Sequence, residues 1–149
     1  MIPTPGESPL STVARVIQLS VAPVFLLTAV STILGVLGTR LGRVVDRARV
    51  LVDRIASSQP PARQSYQEEL ALLLHRRRLV NRAITSGVCC ALLICVLIAC
   101  AFVGAIVGVD FSRAVAVLFI AAMLAFVCAL LFFLREILLA VASVRIEPR

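Results

Sequence analysis

The sequence predicts an all-α membrane protein with three transmembrane helices, the first and second extended into a cytoplasmic antiparallel coiled-coil hairpin. Three observations predict it: three long apolar runs, a basic segment between the first two, and a heptad repeat inside that segment. Hydrophobic residues make up 60% of the 149, against about 45–50% in a soluble domain. The solvent of this chain is therefore lipid.

The apolar runs are Val16 to Thr39, Ala83 to Val109 and Ala114 to Leu134. None contains Asp, Glu, Arg or His. Each exceeds the ~20 residues an α-helix needs to cross the hydrocarbon layer. Backbone polar groups in lipid must pair within their own segment, so the runs are expected as helices. The first run is too long for a signal-peptide core, and the first sixteen residues hold three prolines and one basic side chain, Arg15. It reads as a retained span following a tail over 1–15. Ser8-Pro9 suits a cap with proline at the first helical position, which predicts a short interfacial helix leading into the span. Pro23 removes one backbone donor and predicts a kink.

Arginine placement sets the expected orientation. The chain has fifteen arginines and no lysine, for a net charge of +7. Ten of the arginines lie in the segment 40–82, where Asp46, Asp53, Glu68 and Glu69 leave a net +6. The turn Asp110-Phe111-Ser112-Arg113 nets zero. The positive-inside rule places the basic segment in the cytoplasm, the N-terminus and the turn outside, and a tail over 135–149 inside.

Within the basic segment Leu37, Leu41, Val44, Ala48, Leu51 and Ile55 recur with 4,3,4,3,4 spacing. That is a heptad seam, and it begins inside the first span, so the helix is expected to continue unbroken out of the membrane. Ser57-Ser58-Gln59-Pro60-Pro61 breaks it. The capping-box pattern Ser65-Tyr66-Gln67-Glu68 is expected to start the next helix. There Tyr66, Leu70, Leu73, Val80 and Ile84 continue the seam, with Arg77 at one expected core position. The arms are ~18 and ~20 residues, or roughly 27–30 Å each.

The densest charge is His75-Arg76-Arg77-Arg78 followed by Arg82. These side chains are read first as a topology anchor reaching lipid phosphates, and as candidates for recognising anionic head groups. No aromatic residues are interleaved with them, so nucleic acid is not an expected partner. Arg135 and Glu136 close the third span beside the bases of both arms, where an ion-pair network with Arg40, Arg43 or Arg82 is expected. Asn81 lies at the same depth and is expected to hydrogen-bond across helices.

Small residues mark candidate packing faces. Gly35, Gly38 and Gly42 lie near one stripe of the first span, and Gly104 and Gly108 form a GxxxG in the second. Ala121, Ala125 and Ala129 repeat a small residue every fourth position in the third. Such residues let helix backbones approach closely in lipid, within one chain or between copies. Cys89, Cys90, Cys95, Cys100 and Cys128 all lie in apolar runs without metal-ligand spacing, and read as small packing residues. With a single histidine, no His-based cluster forms in one chain. No catalytic motif, metal site or cofactor is expected.

Four stretches resemble the bacterial domain-of-unknown-function family numbered 2721: Ile17 to Leu27, Arg40 to Arg49, Arg76 to Ile84, and Phe133 to Ala140. Their order covers nearly all of the chain from about residue 14 to 145. The resemblance implies a bacterial inner-membrane protein and brings no activity or functional residue with it. The expected role is non-enzymatic: a homo-oligomer or accessory subunit of a larger membrane complex, acting through its hairpin and contacting anionic lipids. The alternative is a small oligomeric channel or transporter lined by the Ser/Thr stripe Ser20, Thr28, Ser31 and Thr32 of the first span.

Overall fold

The structure is a computed structural model that describes the backbone of residues 9–144 and the side chains of residues 14–141. Three helices follow one another: α1 (Pro9–Ser57), α2 (Ala62–Val107) and α3 (Ser112–Val144). No strand occurs among the described residues. Each helix is long and apolar enough to cross a membrane. Of the most apolar window in each, only 11–17% is buried inside the protein. Side chains such as Phe25 and Ile106 lie 71% and 77% exposed. Apolar surface this continuous is unstable in water and matches a lipid surround, so the chain is a multi-pass membrane protein.

Several expected boundaries shift. Residues 9–15 are not a tail: α1 begins at Pro9 and runs without a separate interfacial helix through Pro23, which is buried. Proline at the first helical position lacks a donor that has no intrahelical partner anyway. Ser8 lies outside the described residues. α2 begins at Ala62 rather than at Ser65. Pro60 and Pro61 end the break, and the carbonyls of Gln59 and Pro61 accept from the amides of Arg63 and Gln64. Ser65 and Glu68 therefore sit inside the helix, with no capping role. At the other end, α3 continues ten residues past Leu134 to Val144, so most of the expected inner tail is helical. The remaining positions 145–149, with Arg145 and Arg149, lie outside the described residues.

The chain divides into two compact units. The first comprises the described residues up to Ile33 together with Ser86–Val127. Its buried side chains include Val30 on α1, Cys90, Ile94 and Leu97 on α2, and Ala122 on α3. It also holds the α2–α3 turn. Gly108 adopts φ 72°, and its amide donates to the Gly104 carbonyl 3.0 Å away. This left-handed cap ends α2 and favours glycine. Asp110 then accepts from the amide and the hydroxyl of Ser112, while the Phe111 carbonyl accepts from the Val115 amide. A Cβ at Gly104 would meet the Phe111 ring at 3.0 Å. Gly104 and Gly108 thus both serve the α2–α3 turn.

The second unit comprises Leu34–Thr85 and the described residues from Cys128. Here α1 and α2 run antiparallel: Arg47 pairs with Glu69, while Arg40 and Arg76 share one carboxylate. Val44, Leu51 and Leu73 form a buried cluster, with Ala48, Tyr66 and Leu70 packed against it. Full burial of a Leu or Val side chain is worth about 1.5–3 kcal/mol. That is the main local gain holding the two arms together.

Candidate functional site

The second unit concentrates the unusual chemistry of the protein. Glu136 lies on α3 and is 1% exposed, the one buried charged side chain among the described residues. Its position follows from spacing. Ala122, Ala129 and Glu136 are seven residues apart, and all three are buried. The carboxylate occupies a place that the helix otherwise fills with alanine.

A buried carboxylate is costly unless paired and hydrogen-bonded. Glu136 is paired twice. Oε2 accepts from Nη1 of Arg40 on α1 at 3.1 Å, and Oε1 accepts from Nη2 of Arg76 on α2 at 2.9 Å. Both are charge-assisted bonds, about twice as strong as neutral ones. The Arg40 guanidinium also lies over the Phe133 ring, 5.4 Å from its centroid, in cation–π range. One residue of α3 thereby ties the polar arm of α1 to that of α2. Farther along the arms, Nε and Nη2 of Arg47 both donate to Oε1 of Glu69, at 2.9 and 2.7 Å. That pair is about half exposed and is worth at most ~1 kcal/mol.

Around Glu136 opens a cavity of about 350 Å³ lined by Arg40, Arg43, Val44, Arg47, Leu73, Arg76 and Glu136. Four arginines line it; Arg47 is neutralised by Glu69, so Arg40, Arg43 and Arg76 against Glu136 leave a net +2. Nε of Arg76 is buried without a hydrogen-bond partner. Arg43 is exposed and enters no hydrogen bond or ion pair among the described residues.

The expected site residues separate accordingly. Arg76 and Glu136 meet, and of the anticipated partners Arg40, Arg43 and Arg82 it is Arg40 that pairs with Glu136. Arg76 is not a free anchor, because Glu136 holds it. Arg77, Arg78, Arg82, Asn81 and Arg135 are exposed and stay out of the cluster. The Asn81 side chain bonds no other helix among the described residues; its backbone carbonyl accepts from Thr85 Oγ1 at 2.9 Å. The expectation that Arg77 would fall on the seam fails by one position. Leu73, Val80 and Ala83 are buried and Arg76 between them is half-buried while Arg77 is exposed, so it is Arg76 that turns inward.

The glycine stripe of α1 does not bring helices together within this chain. Gly35, Gly38 and Gly42 are exposed, and a Cβ at each would meet nothing within 4 Å. The hydroxyl stripe is spent on its own helix: Ser20, Ser31 and Thr32 donate to the carbonyls of Val16, Leu27 and Thr28, at 2.8, 2.9 and 3.0 Å. Such back-bonding satisfies a hydroxyl donor in lipid without a pore. The described residues contain no group of three or more potential metal ligands.

A family model described as "Protein of unknown function (DUF2721)" matches residues 20–146 of the chain. The match includes every residue that lines the cavity. No curated protein and no solved structure matches.

Proposed function

The chain belongs to the DUF2721 family of proteins of unknown function, and we propose that it is a non-enzymatic protein of the bacterial inner membrane. It presents its paired polar helices on the cytoplasmic side as an interaction surface, acting as a homo-oligomer or as an accessory subunit of a larger complex. The observation that carries this reading is the double pairing of Glu136. A charge network that ties two arms to a third helix fixes them to one another, and the arms keep exposed faces unspent. Arg49, Arg54, Arg77 and Arg78 are exposed, as are Val52 and Leu72 at 51% and 63%. The continued heptad spacing of α1 supports a coiled-coil relation of the arms.

Cross-linking in native membranes through a cysteine at Leu72→Cys tests the reading. A discrete homo-oligomer, or an adduct with a single identifiable membrane partner, is expected. Monomer alone over a series of linker lengths overturns it.

A further inference from the structure

We propose that the cavity around Glu136 binds a phosphoryl group, supplied by the head group of an anionic lipid. Charge is the first argument. Arg47 is compensated by Glu69, but Arg40, Arg43 and Arg76 stand against the single carboxylate of Glu136, an excess of two cations that an anion between them would relieve. Spare donors are the second. Glu136 takes a single N–H from each of Arg40 and Arg76. Arg43 has no partner among the described residues, and the buried Nε of Arg76 has none either. A buried N–H left without an acceptor is costly, and planar guanidinium forks suit phosphate oxygens. Glu136 then acts as the internal brace that orients Arg40 and Arg76, leaving their remaining N–H groups for a ligand.

Position in the chain identifies the source. Arg40 is the first ionisable residue after the run Val16 to Thr39, and Arg135 and Glu136 are the first after Ala114 to Leu134. Those sequence positions correspond to the depth of lipid phosphates, where basic pockets between helices take anionic head groups. Val44 and Leu73 supply an apolar wall, which suits an amphiphile better than a free ion.

The test uses the full-length protein in phosphatidylcholine-containing detergent micelles. Phosphatidylglycerol and inorganic phosphate are titrated separately, and the melting temperature is followed. Phosphatidylglycerol is expected to raise it to saturation. In Arg43→Gln the half-saturating concentration rises about tenfold, as for the loss of a charge-assisted contact. In Arg49→Gln, which removes the same charge outside the cavity, it stays within about twofold. Arg43 makes no hydrogen bond or ion pair among the described residues that its replacement would break, so the variant reports on binding. A saturable response to inorganic phosphate, lost in Arg43→Gln, assigns the same cavity to a soluble phosphate. No saturable shift with either probe, or a shift that both variants alter alike, overturns the proposal.

Discussion

Glu136 decides more than any other single side chain. Replacing it with glutamine removes the charge that Arg40 and Arg76 share, and a neutral carbonyl oxygen serves one guanidinium poorly and the other not at all. Breaking a fully buried ion pair costs about 3–5 kcal/mol. Arg40 and Arg76 keep 39% and 25% of their side chains exposed, so water recovers part of that. Glu136→Gln is expected to destabilise the protein by roughly 2–3 kcal/mol, read as a lowered melting temperature in detergent. The gap to the parent protein should persist at high salt, since a shielded pair is screened little. The sequence places Glu136 at the base of the arms and names Arg40 among its partners. It misses Arg76 because the seam drifts by one residue between Leu73 and Val80, and four consecutive polar side chains from His75 to Arg78 carry no apolar marker of which one turns inward.

At the level of the helix, the α1 seam was the clearest signal. Leu37, Val44 and Leu51 are buried, and Leu41, Ala48 and Ile55 half-buried, as their spacing requires. Helix ends were harder to read. A capping-box pattern at Ser65 competed with a diproline, and the diproline prevailed because it ends the break directly. The glycines show why spacing alone misleads. Gly38 sits in open space in mid-helix, whereas Gly108 holds φ 72° at a helix end. Alanine at 38 should be neutral or stabilise by up to ~1 kcal/mol through helix propensity. Alanine at 108 should cost about 1–2 kcal/mol, because a Cβ crowds the carbonyl in the left-handed region. Melting temperatures of the two variants that move in the same direction would contradict this assignment of roles.

For the complete chain, the strongest expectation concerns sidedness. The net +6 of segment 40–82 against the neutral turn 110–113 predicts that the α1–α2 connection faces the cytoplasm. Gln59 is exposed within that connection. A membrane-impermeant thiol reagent should label Gln59→Cys only after cells are permeabilised; labelling of intact cells would invert the orientation and with it the proposed partner side. The three-helix architecture was readable because lipid imposes a coarse rule, long runs without charge. The cavity was not, because it depends on where four guanidiniums from two helices fall around one carboxylate from a third.

The exclusive use of arginine has a chemical corollary. A guanidinium holds its proton throughout the range in which proteins work, so the positive lining of the cavity does not fade as conditions turn alkaline. Any alkaline dependence of anion capture must therefore originate outside the arginines. Enzymes that edit charge by acylating lysine side chains find no lysine on this chain, so that route cannot weaken the positive lining.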